Sequence, residues 1–315
     1  MADLLSFDKL PTDEVLLTIP LNLRTNRSYW IELEMLVKQT TPKYSAMSVY
    51  NKTPDSPDHF KIVDENNGLL WSDWISQGKK IKLVHSNANA QVCFVKYYKP
   101  EFSPAKAPFA ESGYLENPEI KPFDVFQVAL QNGESFVIQL PGQGTYVIQS
   151  TQESETGKTI TQFYTGFPQI ASDAQKVFAL RYLTPQKEFV LMLQDTAANT
   201  LKEFWFFEGR KKERSQEMMS TYYSRMQRAN TLFTTYKEGW KTDRGMIFMV
   251  YGPPDGVYYQ ENQEVWEYGN NADYNDLKFV FTKTSNQFYS NEYYLERSYE
   301  YKKSWHKVVE NWRNQ

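Results

Sequence analysis

Three carboxylates, Asp243, Asp255 and Glu267, fall within one short stretch that also holds Gly239, Trp240, Gly252, Pro253, Pro254 and Trp266. Two carboxyl groups about 5 to 9 Å apart can cleave a glycosidic bond, one protonating the leaving group and the other acting as base or nucleophile. Trp240, Trp266 and Tyr268 would then offer rings for stacking on sugar faces. Other chemistries find less support. His59, His85 and His306 are far apart and none pairs at metal-ligand spacing such as H-E-x-x-H; there is no P-loop and no G-x-G-x-x-G. Cys93 is the only cysteine, which excludes an internal disulfide and thiol-rich metal sites. It sits in the strand-like run Val92-Cys93-Phe94-Val95, where a small buried thiol is expected. Asp255-Gly256 begins like an acidic calcium turn but lacks the remaining ligands. No cofactor and no metal are expected.

The same residues can be explained without catalysis. Gly239 permits a left-handed exit from a preceding helix, Trp240 buries a large ring under the junction, and Thr242 or Asp243 can accept backbone N–H groups in a turn. Arg244 offers a planar fork to Asp243, Asp255 or Glu267, pinning strand to turn.

These residues must be positioned by the elements around them. From about Ile170 the pattern is helical, with Thr184-Pro185 resembling an N-cap followed by proline at the first helical position. Pro185 to Leu193 and Thr200 to Phe207 read as short helices. Met219, Tyr222, Met226, Ala229, Phe233 and Tyr236 then step by 3 and 4 residues, one apolar stripe on a helix of about 25 residues with Arg214, Glu217, Arg225 and Arg228 opposite. Beyond Gly239, Met246 to Tyr251 reads as a strand, Gly252 to Gly256 as a rigid turn, and Val265 to Tyr268 and Leu277 to Thr282 as further strands. Tyr294, Ser298, Tyr301, Trp305, Val308 and Trp312 again step by 3 and 4, a closing helix. The first half reads as antiparallel β. Leu17, Ile19, Leu21 and Leu23 share one face, with Pro20 placing that strand at an edge. Short runs follow at Trp30 to Val37, Ile81 to His85, Val92 to Tyr98, Ser135 to Leu140, Thr145 to Gln149 and Thr159 to Tyr164, with turn signals at Asn132-Gly133 and Pro141 to Gly144. Between Lys99 and Phe123 lie Pro100, Pro104, Pro108, Pro118 and Pro122, an extended arm crossing between sheets or a recognition arm.

The expected architecture is therefore mixed: residues 1–168 an antiparallel, Ig-like β-sandwich with the proline-rich arm at 99–123, and residues 169–315 an α+β unit with a small sheet and packed helices. With a net charge of -3 and a pI near 5.8, no overall field attracts nucleic acid. The basic excess from Lys202 to Arg244 falls on the long helix and reads as its solvated face. No run approaches the ~20 apolar residues of a spanning helix, and Met1 to Leu5 lack the pattern of a secretory signal.

Gly239-Trp240-Lys241-Thr242-Asp243-Arg244-Gly245, followed by Tyr251-Gly252-Pro253-Pro254-Asp255, resembles the GWxTD domain, a family named for the first five of these positions with Lys241 as the variable one. Phe204-Trp205, Arg225 and Ala229-Asn230 upstream and Val265-Trp266-Glu267-Tyr268 downstream are similar to it as well, so that the likeness covers roughly Lys176 to Phe281. The resemblance implies an exported, envelope-associated bacterial protein of Bacteroidetes type, often lipoprotein-like, with β-rich regions before the domain and no established reaction. It implies a place in the periplasm or on the outer membrane surface, the export signal having been removed; the sequence leaves the cytoplasm open. The expected function is a non-enzymatic structural or protein-interaction module whose partner is another envelope protein, with Gly239, Trp240, Thr242, Asp243, Arg244, Gly252, Pro253, Pro254, Asp255, Trp266 and Glu267 as the motif or interaction residues. The alternatives are a carbohydrate-binding module, for which Trp71 and Trp74 beside Asp73 are candidates, and a glycan hydrolase using Asp243, Asp255 and Glu267. Aromatic residues make up 16% of the chain, and the helix stripes and the motif region absorb many of them into one core.

Overall fold

The computed structural model describes residues 60–314 apart from 71, 100–101, 112–119, 155–156, 208–209, 261, 270–275, 285–287 and 289–291, together with the backbone of four strands before residue 60. The fold is mixed α/β, with a curled mixed sheet and the helices in the C-terminal part. Of the four early strands, β1 (Ser6–Lys9) and β2 (Val15–Thr18) pair only with each other. The face expected to run on through Ile19, Leu21 and Leu23 lies outside the described residues, as does Trp71. β3 (Arg27–Met35), expected from Trp30 onward, pairs with β4 (Lys43–Asn51), and that hairpin joins a sheet formed by the last third of the chain.

The curled sheet is built from β5 (Phe60–Asp64), β6 (Trp74–Ser76), β7 (Lys80–His85), β8 (Val92–Tyr98), β9 (Asp124–Gln131), β10 (Glu134–Ser135), β11 (Ile138–Gln139), β12 (Gly144–Gln149) and β13 (Lys158–Phe163). Its order is β11-β7-β10-β9-β8-β12-β13-β6 with β5 also on β7, antiparallel except where β6 runs parallel to β13. Alternation puts Ile81 and Leu83, Cys93, Val95 and Tyr97, and Tyr146 and Ile148 in one core, where the rings of Tyr97 and Tyr146 stack at 4.5 Å. β9 was not expected, because its side chains are mostly exposed and Asp124 to Gln131 shows little apolar contrast.

The helical part comprises α1 (Asp173–Ala179), α2 (Gln186–Met192), α3 (Ala197–Trp205), α4 (Lys212–Phe233), α5 (Asp243–Tyr251) and α6 (Tyr301–Asn314), with β14 (Gly256–Tyr259), β15 (Gln263–Tyr268), β16 (Leu277–Thr284) and β17 (Glu292–Leu295) completing the second sheet in the order β17-β16-β15-β14-β4-β3. The stripe on α4 is buried as expected through Tyr222, Met226, Ala229 and Phe233. Four details differ. α4 ends at Phe233, where the Thr234 hydroxyl donates to the Asn230 carbonyl at 2.6 Å, so Tyr236 is off the helix. Tyr294 belongs to β17 and Ser298 to the following turn, so only Tyr301 onward is helical. Pro185 itself occupies the N-cap of α2, and Thr184 turns back to the Leu180 carbonyl.

The fourth difference concerns Met246 to Tyr251, expected as a strand and found as α5. A short apolar run cannot be assigned by periodicity, since a helix surrounded on every side needs no polar stripe. Every residue from Met246 to Tyr251 is buried. α4 covers α5 through the ring pair Phe233–Phe248, the sheet meets it through Tyr251 and Phe279, and α6 closes over it as Trp312 Nε1 donates to the Val250 carbonyl at 2.9 Å.

Candidate functional site

The motif occupies the turn between α4 and α5, and its glycines set how closely the chain passes. A Cβ on Gly239 would lie 1.9 Å from the Ala229 carbonyl oxygen, and one on Gly245 would lie 1.9 Å from the Gly239 carbonyl oxygen. Three backbone segments are therefore in direct contact, and no side chain fits between them. The expected left-handed exit at Gly239 is not found: its φ is not positive, and it opens a 3-10 turn, Gly239–Lys241. Trp240 is buried at 2% exposure, its N–H donating to Asn230 Oδ1 at 3.2 Å and its carbonyl accepting from the Tyr182 hydroxyl at 2.9 Å.

Thr242 starts α5. Its hydroxyl donates to the Gly239 carbonyl at 2.7 Å and accepts from the Gly245 N–H at 3.0 Å, a side-chain cap of the kind expected. Asp243, in the first turn, faces the positive end of the helix dipole. Its carboxylate is 6% exposed, accepts the Leu295 N–H of edge strand β17 at 2.9 Å, and forms an ion pair with Arg297. Arg297 in turn donates to the Lys106 carbonyl at 3.2 Å. Two further bonds tie the arm: the Ala105 N–H donates to the Lys241 carbonyl at 2.9 Å, and the Ser298 N–H to the Pro108 carbonyl at 3.1 Å. Residues 102–111 of the proline-rich arm thus lie on the motif. Beside it, a cleft of about 630 Å³ opens between the arm, the loop before α2 and α6, lined by Lys106, Phe109, Arg181, Tyr182, Trp305 and His306.

Arg244 pairs with Glu264 at 3.0 Å, not with Asp243, Asp255 or Glu267, and its guanidinium lies 4.4 Å from the Tyr293 ring centroid. Glu264 is buried and also accepts from Trp266 Nε1 at 2.6 Å. The reason is strand alternation: Glu264, Trp266 and Tyr268 share the inner face of β15, and Glu267 points outward, where it pairs with Lys278 at 2.7 Å and thereby raises the lysine's pKa. At the far end of α5, Arg225 donates to the carbonyls of Met249 and Val250, both at 3.2 Å, and Tyr268 donates to the Gly252 carbonyl at 2.8 Å. Arg225, expected on the solvent face of α4, is a cation at the negative end of a helix. Pro253 and Asp255 are exposed and Pro254 is half-buried; the Asp255 carboxylate accepts the Gly269 N–H at 3.1 Å, closing the turn into β14.

The three carboxylates are not brought together. Asp243 begins α5 and Asp255 follows its end, and nine helical residues span about 13 Å. Glu267 neighbours Asp255 through a backbone bond, the Asp255 N–H donating to the Glu267 carbonyl at 2.8 Å. Trp240 and Trp266 are buried rings, closed to a sugar face. Trp74 is half-buried, edge-on to Phe167 at 4.9 Å, with Asp73 paired to Lys158. Among the described residues no group of three or more His, Cys, Asp or Glu is arranged to hold a metal ion.

The model of the GWxTD domain matches residues 144–314, more than half of the chain. The chain belongs to the GWxTD domain family. The match begins at β12, well before the stretch from Lys176 in which the likeness is visible by eye, and it ends with α6. Comparison with curated proteins finds no match. Within the GWxTD segment, Gly239 lies against the backbone of α4, Trp240 fills the core, Thr242 binds backbone and Asp243 pairs with Arg297. No helix among the described residues is long and apolar enough to cross a membrane.

Residues decisive for the site but not singled out by the sequence are Arg297 and Glu264. Glu264 had a usable signal, its two-residue spacing from Trp266. Arg297 had none, since it lies far from the motif in sequence.

Proposed function

We propose that this chain is a non-enzymatic module of the bacterial cell envelope that binds another envelope protein. On this reading an Ig-like β-sandwich over residues 1–168, whose β3–β4 hairpin continues the sheet of the α+β unit over 169–315, acts with that unit as one scaffold in the periplasm or on the outer membrane surface, in a lipoprotein-like setting. The observation that supports it is the engagement of the motif's polar groups: Thr242 on backbone, Asp243 on Leu295 and Arg297, Arg244 on Glu264. Groups tied inside the fold serve its rigidity, and a rigid scaffold presents surface loops and helices for recognition.

The test is cross-linking of the tagged full-length protein in its native host, followed by fractionation and identification of the adduct. The reading expects one reproducible envelope partner at near-stoichiometric yield. A protein that forms no adduct and instead turns over a glycan from a polysaccharide panel, with the activity lost in Asp243→Asn at unchanged melting temperature, would overturn it.

A further inference from the structure

We propose that the shelf made by α2 and the end of α3 is a docking surface for a basic, amphipathic segment of a partner protein; this rests on the reading of the chain as an interaction module. Four large apolar side chains stand in solvent there: Leu191 is 65% exposed, Val190 47%, Leu193 44% and Phe207 40%. α2 has only seven residues and buries Phe189 alone, with Met192 packed partly against the core, so Val190 and Leu191 are left to solvent. Single exposed apolar residues are ordinary, but several gathered on one short element mark an interaction site.

Leu191 and Phe207 line one cleft of about 580 Å³ together with Met192 and Phe204. That volume suits one or two anchoring side chains. The cleft's charged residues are Glu188, Asp195, Glu203 and Arg313. Arg313 is spent on Glu188 in a two-point pair at 2.7 and 2.8 Å. Asp195 accepts from the Thr196 N–H at 2.6 Å and from Asn199, both neutral donors, and Glu203 makes no ion pair among the described residues. Two carboxylates therefore stand without a cationic partner among the described residues beside the apolar floor, while Arg210, 4.3 Å from the Phe207 ring centroid, is engaged by the Trp312 and Arg313 carbonyls. An occupant with two large apolar side chains one helical turn apart, flanked by Lys or Arg, satisfies both features. An anionic lipid surface is repelled by the same rim, and a second copy of the chain would bring like-charged rims together.

A random peptide library displayed on phage and selected on the full-length protein tests this. The expected result is enrichment of peptides combining large apolar residues with net positive charge, their binding weakened roughly tenfold by Leu191→Ser and reduced by Glu203→Lys and by added salt. Both variants change exposed positions and are expected to melt with the wild type. Enriched peptides that bind a Leu191→Ser/Leu193→Ser variant equally would overturn the shelf and leave the interaction-module reading standing. Enrichment of acidic peptides would overturn it too, as would a concentration-dependent dimer abolished by Leu191→Ser with no peptide enriched. Absence of any binder and any dimer would also overturn it, and the cross-linking experiment then decides the broader reading separately.

Discussion

The carboxylate of Asp243 and the guanidinium of Arg297 form a buried ion pair that joins three distant stretches of chain: the start of α5, the edge strand β17 through the Leu295 N–H, and the proline-rich arm through the Lys106 carbonyl. Removing one member of such a pair leaves the other charge buried, which costs about 3–5 kcal/mol. Arg297→Met is expected to lower stability by that amount in urea unfolding. Asp243→Asn keeps an acceptor for Leu295 but strands the arginine, and falls in the same range. The double variant Asp243→Asn/Arg297→Met should recover part of the sum, a coupling that a pair of independent surface residues would not show.

Gly239 and Gly245 are held by backbone contact, not by turn conformation. Gly239→Ala or Gly245→Ala places a methyl against a carbonyl oxygen in a packed core, where relief requires α4 and α5 to separate. Each substitution is expected to destabilise by about 3 kcal/mol or more. An alanine variant within 0.5 kcal/mol (about the limit for neutral surface changes) of the wild type would contradict the placement of the turn.

Arg225 caps α5 from the neighbouring helix. Arg225→Met retains much of the apolar stem against Trp312, whose ring centroid is 5.2 Å from the guanidinium, but removes the donors to Met249 and Val250. A loss of about 1–2 kcal/mol is expected in thermal or urea unfolding, with Arg225→Lys recovering only a part because an ammonium lacks the fork.

Cys93 is buried in the curled sheet, and burial pushes its thiol up to about 11. The thiolate is the reactive form, and at pH 8 it is scarce as well as inaccessible. A thiol reagent is expected to leave the native protein unlabelled at pH 8 and to label one equivalent once the chain is unfolded. Rapid labelling of the native protein would contradict the core of the curled sheet.

Much of this was legible in the sequence. The stripe through Tyr222, Met226 and Phe233, the strands at Val92 to Tyr98 and Thr145 to Gln149, and the cap at Thr242 follow from local periodicity and local hydrogen bonding, which a sequence displays directly. What was hidden arises where tertiary contact decides. Met246 to Tyr251 is apolar throughout, so helix and strand are equally compatible with it until the surrounding layers are known. Asp243, Asp255 and Glu267 were all open as partners of Arg244, and only alternation along β15 singles out Glu264, which it turns inward. Arg225 looked like a solvent residue because it lies off the α4 stripe, and only the arrival of α5 beside α4 gives it partners. Arg297 and the arm could not be linked to Asp243 at all, since their separation along the chain carries no local signal.

The GWxTD segment acts as a latch that holds the arm and β17 against α5. Amide hydrogen exchange, read for the segments 102–111 and 292–298 in the wild type and in Asp243→Asn, tests it most directly. In the variant the Ala105, Leu295 and Ser298 amides are expected to lose protection while the curled sheet, reported by Val95 and Ile148, keeps its own. Unchanged protection at Ala105 and Leu295 in a folded Asp243→Asn protein would contradict it.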